Sequence, residues 1–451
     1  MLKVLSHGAT QMMELAGISS RISSVVDGRS TYATAGALPW VVGFFFAFRL
    51  FTPLLSVRVL GTEPQAGTGA NLVLNISLLL VAVFCCLGRP RESFGQIAQT
   101  ASVRWALLFL GFACFSLSWS SAASLYVATA YWSGMAADFA IVALMLRARS
   151  VISVADSLMK GYIWGACAGA TIAWLLPAQS DLRLGDEELL GPNNIAYVCG
   201  FALLFTQFLT RRKDGKWRAP ALVLAVTVLR SLSKTTIAAV FVSEGFVLLA
   251  DRSMKRKTKV AIIITAMLVV VGFSPLFASY YQIYVNTGNQ SETLTGRLGI
   301  WAYLLAESFQ QPWIGHGFDS VWKVVPAFGP DKFEAAHAHN ELLQQFYAYG
   351  LAGVCLFVGV YGSVYRQIRR LANGPTKTYL FAFLIFVLVR GIADTDRFDL
   401  SLPLWAIVLL SALAENTRGV QDHPSSLARE ERARSSAFAA NRSILDQGLP
   451  G

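Results

Sequence analysis

Charged residues are scarce in this sequence. Asp, Glu, Lys and Arg together make up 14% of the 451 residues, whereas hydrophobic residues make up 54%. Soluble globular domains carry about 25% charged residues, so this composition excludes an ordinary soluble protein of the same length. It predicts a protein that is largely buried in a membrane.

Two features of secreted proteins are also missing. Residues 1–34 are polar and contain no short apolar core followed by small residues, so we expect no cleavable signal peptide. The cysteines show neither a disulfide framework nor metal-ligand spacing, because all of them fall inside apolar segments. They are Cys85, Cys86, Cys114, Cys167, Cys199 and Cys355.

Long apolar segments are abundant. Crossing the hydrocarbon core takes about 20 apolar residues, and the sequence offers twelve candidate segments. They are Leu38–Leu55, Ala70–Leu87, Trp105–Trp119, Leu125–Leu146, Tyr162–Leu176, Ile195–Leu209, Ala219–Ser233, Thr235–Ala250, Val260–Phe277, Leu342–Val364, Tyr379–Ile392 and Leu402–Ala414. The sequence therefore predicts an all-α integral membrane protein with about 12 transmembrane helices.

The positions of the basic residues predict the orientation of these helices. The seventh and eighth segments are nearly continuous, so hydropathy alone leaves open one long tilted helix or a tight hairpin. A hairpin with the N-terminus inside puts most of the 38 basic residues on the cytoplasmic side, whereas fusion would place the cluster 252–259 outside. We therefore expect the hairpin, and the net charge of +11 then requires no nucleic acid partner.

This topology divides the chain into five parts. Residues 1–34 form a cytoplasmic segment, residues 35–277 contain spans one to nine, and residues 342–414 contain spans ten to twelve. Residues 415–451, rich in Arg, Ser, Glu and Ala, are expected to be a mobile cytoplasmic tail. Residues 278–341 form a large periplasmic loop, longer than a simple connection needs, and function is expected there.

The long loop contains an arginine in a favourable place for an anion. Apolar residues at helical spacing from Leu294 predict an amphipathic helix at the outer interface, capped by Thr295 or a close neighbour. Arg297 then lies in the first turn, where a cation is mildly unfavourable unless an anion joins it. The alternative is an arginine that extends toward lipid headgroups.

The loop ends in two histidines. His337 and His339 stand just before a predicted helix whose first residues, from Asn340 through Gln345, form a polar face. Histidine accepts protons near neutral pH, so the pair is a candidate general base. Structural histidines remain an alternative, and a zinc site with His316 and Asp319 has no strong ligand spacing in its favour.

Other arginines lie near the outer ends of the predicted spans. Arg183 precedes span six, and Arg230 and Arg390 lie near the ends of spans seven and eleven. Ionisable residues within a membrane are functional candidates, although each of these could extend to the interface or, for Arg183, balance neighbouring acids. Together they predict an electropositive outer cavity.

These residues resemble the O-antigen ligase and polymerase family. The matching elements are Arg183 with Pro192-Asn193, Ser233-Lys234-Thr235, Gly296-Arg297 with Trp301, and Gly315-His316-Gly317-Phe318. The most specific match is the span from His339-Asn340 to Gly350. The resemblance covers roughly residues 183–405 and departs from many relatives at Ser233-Lys234, where those carry Ser-Arg.

The resemblance implies a metal-independent membrane glycosyltransferase without cofactors, located in the bacterial inner membrane with its active site facing the periplasm. His339 would take a proton from the acceptor hydroxyl, and Arg183 and Arg297 would bind and stabilise the leaving diphosphate. Further residues implied in substrate binding are His337, Asn340, Arg230, Arg390 and Asp394. Because His337 lies so close to His339, the choice of the base stays open.

The implied substrate is a polyprenyl-diphosphate-linked glycan within membrane lipid, with flippase and chain-length regulator proteins as further partners. Polymerisation of repeat units of an exopolysaccharide or O-antigen is the expected reaction, and ligation to a lipid A-core acceptor is the alternative. A transporter would also explain twelve spans, but transporter sites lie near the midplane. A scaffold protein is the weakest alternative. Asp394-Thr395-Asp396 looks like the metal motif of nucleotide-sugar transferases, which we discount because three residues recur by chance.

Overall fold

The computed structural model describes residues 37–86, 94–186, 188–211, 215–287, 294–320, 327–328, 333–334, 337–395 and 398–422. Within these ranges the chain folds into helices, joined by turns and irregular segments. The exception is an antiparallel pair of two-residue strands, β1 (Ala327–Phe328) and β2 (Phe333–Glu334). The prediction of an all-helical protein is therefore confirmed for the described residues.

The helices follow the apolar segments closely. They are α1 (37–48), α2 (Thr52–Leu60), α3 (Pro64–Cys86), α4 (Phe94–Ala98), α5 (Ala101–Ser116), α6 (Leu125–Ala148), α7 (Val151–Leu175), α8 (Pro192–Arg211), α9 (Arg218–Arg230), α10 (Lys234–Ala250), α11 (Arg256–Gly272), α12 (Ser274–Thr287), α13 (Leu294–Ser308), α14 (Glu341–Arg369), α15 (Pro375–Gly391) and α16 (Leu404–Asp422). Each of the twelve candidate spans falls on at least one of them.

Length and composition show a multi-pass membrane protein. Five helical segments of the described chain are long and apolar enough to cross a membrane, and a bent pair formed by α11 and α12 raises this to six. Other candidate spans are shorter; α9, for example, has 13 residues, fewer than the roughly 20 that a crossing needs. The number twelve therefore stays a prediction.

The break predicted between spans seven and eight is present. α9 ends at Arg230 and α10 begins at Lys234. Between them Leu232 has a φ of +57°, a left-handed conformation that interrupts a helix because it brings Cβ close to the following carbonyl. The chain therefore forms two helices here rather than one long one.

Two compact units make up the described chain. Unit 1 contains α1–α3, residues 136–148 of α6, α7–α9, the start of α10 and the segment 269–287. Its helices pack closely through glycine, since a Cβ on Gly161 would lie 1.9 Å from the carbonyl oxygen of Trp40. Small residues of this kind let helix backbones approach in membrane proteins.

Unit 2 contains α4, α5, residues 125–135 of α6, residues 238–268, and α13–α16. Its longest helix, α14, packs against α5, where the rings of Phe109 and Tyr349 meet edge to face at 5.7 Å. α13 lies against the N-terminal part of α14 through the buried side chains of Ile300, Leu304 and Tyr347. This arrangement brings the end of the predicted periplasmic loop onto rigid helices.

The segment predicted as a long loop is partly helical. α12 continues through Thr287, ten residues beyond the expected end at Phe277. The predicted amphipathic helix is α13, which begins at Leu294 with Arg297 in its first turn. Thr295, the residue named as the cap, lies inside the helix and therefore does not cap it. Its neighbour Thr293 lies outside the described residues, so a cap by that residue stays a prediction.

Candidate functional site

The histidine segment is held in place from both sides. Trp301 Nε1 on α13 donates a hydrogen bond to Ala338 O at 2.9 Å. Ala338 N donates to Gln344 Oε1 on α14, also at 2.9 Å. Because Ala338 is fully buried between these contacts, His337 and His339 on either side of it have fixed positions.

His339 adopts an unusual backbone conformation. Its φ is +52°, in the left-handed region that few residues other than glycine occupy, although histidine, asparagine and aspartate are enriched there. Such conformations cost of order 1–3 kcal/mol and cluster at functional sites. The next residue, Asn340, caps α14 by accepting a hydrogen bond from Leu343 N at 2.9 Å, so the strained residue directly precedes a well-anchored helix.

A buried carboxylate faces His339. The Nδ1 atom of His339 lies 3.7 Å from Asp394 Oδ1, slightly beyond hydrogen-bond length. Asp394 Oδ2 accepts a hydrogen bond from Arg390 Nη2 at 2.9 Å, and both side chains are buried. Burial raises the pKa of the Asp394 carboxyl, but the Arg390 guanidinium and the nearby imidazoles hold that pKa well below its ordinary value. The ion pair with Arg390 therefore favours the anionic form of Asp394 beside the imidazole.

The two histidines differ in their surroundings. His337 Nδ1 accepts a hydrogen bond from the backbone N–H of His339 at 3.3 Å, and the two rings meet edge to face at 4.0 Å. His339 Nδ1 has no hydrogen-bond partner among the described residues. The lone pair on His337 Nδ1 is thus engaged by the backbone, whereas the His339 ring is the one aligned with a carboxylate.

Arg297 contacts the turn that carries Asp394. Its Nη1 donates a hydrogen bond to Ala393 O at 2.5 Å, directly before Asp394. Its Nε is buried and makes no hydrogen bond to any described residue. Asn340 Nδ2 donates to the neighbouring Ile392 O at 2.9 Å. The turn 392–394 therefore brings Arg297, Asn340 and Asp394 together around His339.

Three of these residues could hold a metal ion. Ligand atoms of His337, His339 and Asp394 all lie within 4.8 Å of one another. The set differs from the one considered for zinc in the sequence, because His316 instead stacks on Tyr347 at 4.5 Å. The Arg390 guanidinium already engages Asp394, and its positive charge opposes that of a cation bound to this carboxylate.

Glu341 ties the start of α14 to the segment that precedes the last helix. Its Oε1 accepts hydrogen bonds from Tyr361 OH and from Ser401 N, each at 2.8 Å. A Cβ at Gly391 would lie 2.6 Å from the other oxygen, so only glycine leaves room for the carboxylate. The sequence placed Glu341 on a polar face but gave no sign of Tyr361 and Ser401 as its partners.

α14 contains a break at Gly350. This residue has a φ of +62° and a ψ of −153°, and the backbone of residues 312–317 docks against the break. Leu351 N donates to Pro312 O at 2.7 Å, and Gly317 N donates to Ala348 O at 2.7 Å. These bonds satisfy backbone groups that the break takes out of the helix.

The break gives a testable prediction about folding. A Cβ at Gly350 would lie 2.5 Å from the carbonyl carbon of Trp313 and would also sit at a strained φ. Gly350→Ala should therefore lower the free energy of unfolding by roughly 1–3 kcal/mol. Gly362→Ala on the same helix meets nothing within 4 Å and should leave the melting temperature of the detergent-purified protein unchanged or slightly raised. Equal melting temperatures in the two variants would contradict this account.

Two further candidate residues, Arg183 and Arg230, lie in unit 1. Arg183 is buried, and its Nη2 donates to Asn193 Oδ1 at 2.9 Å while Nη1 lies 3.8 Å from Asp181 Oδ2. Arg230 Nη1 donates to Leu182 O at 2.6 Å. Arg230 therefore holds the loop that carries Arg183, and Asn193 is the residue that the sequence pattern paired with Arg183.

The structure thus brings six of the eight candidate residues together within unit 2. These are Arg297, His337, His339, Asn340, Arg390 and Asp394. The link between Arg390 and Asp394 had a signal in the sequence, because opposite charges four residues apart at a helix end lie side by side. Asp396, the other acidic residue of the Asp-x-Asp pattern, lies outside the described residues.

The chain is similar to one family model and to two known proteins. A family model described as O-antigen ligase matches residues 219–358, a range that includes Arg230, Arg297 and His339. A protein named O-antigen ligase from Pseudomonas aeruginosa is 25% identical over 308 residues, which cover 65% of this chain and 71% of that protein. Exopolysaccharide production protein ExoQ from Rhizobium meliloti is 22% identical over 376 residues, or 73% and 85% of the two chains.

Proposed function

We propose that this chain polymerises lipid-linked oligosaccharide repeat units, and the proposal is supported by its similarity to the O-antigen ligase family model, to a protein named O-antigen ligase and to Exopolysaccharide production protein ExoQ. The growing glycan leaves its polyprenyl diphosphate and is transferred to a hydroxyl of an incoming lipid-linked unit. The observation that carries the proposal is the alignment of His339 with the buried Asp394–Arg390 pair. This arrangement suits proton transfer from a hydroxyl.

His339 is the proposed general base. When its Nδ1–H turns toward the Asp394 carboxylate, Nε2 carries the lone pair that accepts the proton. The Asp394 anion stabilises the imidazolium that forms and fixes the orientation of the ring, as the aspartate does in Ser-His-Asp sites. Catalytic hydrogen bonds are often long without substrate, which is consistent with the distance of 3.7 Å. Asp394 is therefore proposed as a positioning residue rather than a direct ligand of the glycan.

Arg297 is the proposed diphosphate ligand in unit 2. One of its nitrogens is held by Ala393 O, which fixes the guanidinium plane and leaves Nε and the other terminal nitrogen to donate. A rigid, delocalised fork of donors fits a phosphate better than a point charge does. Charge developing on the leaving diphosphate is stabilised by such a group, and this is a major catalytic contribution.

Arg183 is proposed to bind phosphate on the basis of its own surroundings. The contacts with Asn193 and Asp181 orient its guanidinium, and Arg230 supports the same loop. An arginine that is buried and held by side chains on both sides loses little entropy when it binds an anion. Replacement of Arg183 by lysine should therefore reduce transfer.

The proposed location is the bacterial inner membrane, with His339 facing the periplasm. The basic clusters that follow α14 and α16 support this orientation. A reporter fused after Gly419 should register the cytoplasm, and one fused after Gln310 should register the periplasm. The same side for both fusions would overturn the orientation and the periplasmic site.

Polymerisation and ligation differ in what accumulates when the protein is missing. In a deletion strain we expect single lipid-linked repeat units to accumulate, and wild-type protein should restore long chains whereas His339→Ala protein should not. Long lipid-linked chains that remain unattached to lipid A-core would contradict the polymerase proposal and indicate a ligase. Unchanged lipid-linked glycans would contradict both.

A further inference from the structure

Unit 2 contains a cavity of about 120 Å³ at the C-terminal end of α14. His339 precedes the opposite, N-terminal end of this helix. The start of α5, the last turns of α14 and the later part of α16 form the walls of the cavity. Three arginines line it: Arg366 in the last turn of α14, Arg370 directly after that helix, and Arg418 on α16. The volume is well above the roughly 10–15 Å³ that one water needs, so a small polar group fits inside.

The floor of the cavity is a hydrogen-bonded network that ties the three helices together. Gln367 Nε2 on α14 donates to Ser411 O at 3.0 Å and to Glu415 Oε1 at 3.1 Å on α16. Ser102 Oγ on α5 donates to Gln367 Oε1 at 2.9 Å and lies 2.7 Å from Ser411 Oγ. These contacts fix the spacing of the helices that present the arginines.

The cavity carries excess positive charge. Arg366 and Arg370 are four residues apart at the C-terminal end of α14, a spacing at which like charges repel each other. The one carboxylate in the lining, Glu415, accepts a hydrogen bond from Gln367. Three arginines against one carboxylate favour an anion, and the donor fork of arginine matches phosphate oxygens.

The position of the cavity relative to the membrane indicates the source of that anion. After the break at Gly350, α14 continues through Arg369, and these 19 residues at about 1.5 Å per residue span roughly 30 Å, close to the thickness of the hydrocarbon core of a bilayer. The cavity is therefore at the membrane face opposite His339. Trp105 lines it as well and packs against Gly359 of α14, and tryptophan is enriched at headgroup level.

We propose that this cavity binds the phosphate group of an anionic lipid headgroup in the leaflet opposite His339. The arginines hold the phosphate, and the acyl chains remain in the bilayer beside Trp105. The bound lipid bridges α14 and α16 and stabilises the end of the helix that begins at the candidate site. Inorganic phosphate shares the same chemistry, so the test separates the two sources.

The test uses the full chain purified in neutral detergent and titrated with short-chain phosphatidylglycerol, phosphatidylcholine or inorganic phosphate, with binding followed by native mass spectrometry and melting temperature. We expect saturable binding of phosphatidylglycerol that Arg366→Gln/Arg370→Gln weakens at least about tenfold, since bonds to charged groups contribute about 1.5–3 kcal/mol each. Arg418→Gln should also weaken it. Arg369→Gln is the matched control, because Arg369 is exposed on the same turn but does not line the cavity.

Three results would overturn the proposal. The first is equal affinity of the wild type, the double variant and Arg418→Gln for phosphatidylglycerol. The second is binding of phosphatidylcholine as tight as that of phosphatidylglycerol. The third is full stabilisation by inorganic phosphate at the same concentration, which would make the cavity a site for free phosphate. Elution volume and circular dichroism identify any variant that fails to fold, and Arg418→Gln then provides the comparison on a different helix.

Discussion

Replacing His339 with alanine should abolish glycan transfer, whereas His337→Ala should leave substantial activity. Loss of a general base costs about 10²–10⁴-fold in rate, so polymer should disappear rather than shorten slightly. His337 Nδ1 already accepts the His339 N–H, whereas the His339 ring faces the Asp394 carboxylate. The measurement is polymer length in a deletion strain that expresses each variant, with membrane protein level and melting temperature recorded.

A second substitution at position 339 distinguishes the loss of the imidazole from the strain that alanine introduces into a left-handed backbone. His339 has a left-handed backbone, which asparagine tolerates better than alanine does. His339→Asn should therefore be as inactive as His339→Ala while melting closer to the wild type. An active His339→Asn variant would contradict the role as base. If His337→Ala is the inactive variant and His339→Ala the active one, the base has been assigned to the wrong histidine.

Arg297→Lys should lower transfer by roughly 10- to 100-fold while leaving the protein folded and inserted. Lysine keeps the charge, but a point charge cannot hold Ala393 O and donate two parallel bonds to a diphosphate. Loss of one bond to a charged group costs about 1.5–3 kcal/mol, which gives the expected factor. The measurement is the rate of chain growth by purified protein from lipid-linked repeats.

Arg104 offers a matched control for this substitution. Its guanidinium also donates to a backbone carbonyl, that of Gln99, but it is exposed near the start of α5. Arg104→Lys should therefore retain wild-type rates. Wild-type glycan length in Arg297→Lys would remove Arg297 from the site, and a loss as large in Arg104→Lys would show that arginine is needed for folding rather than for phosphate binding.

Most of the helices could be predicted from the sequence because apolar segments must be helical where lipid offers no hydrogen bonds. The start of α14 was also predictable, since the polar residues that follow His339 coincide with its first turns. The extension of α12 through Thr287 was not, because its polar residues resemble a loop. Hydropathy measures burial in lipid and gives no signal for a helix that continues beyond it.

The candidate site was only partly predictable for a different reason. His339 and Asp394 are far apart in the sequence, and their pairing depends on how the end of α15 packs beside the start of α14. Arg390 was expected to bind substrate, but its burial against Asp394 favours a role in fixing that carboxylate. Gly350 belonged to the sequence pattern, whereas the docking of residues 312–317 into its break needs three-dimensional contacts.

The most direct test of the account is whether transfer needs a metal. His337, His339 and Asp394 are close enough to hold an ion, whereas in the proposed mechanism His339 accepts the proton and arginine binds the diphosphate. Purified protein that extends lipid-linked repeats should keep its full rate after EDTA treatment and removal of the chelate, and added zinc should not raise it. A rate that falls to background with EDTA and is restored by zinc would contradict the account and make this cluster a metal site.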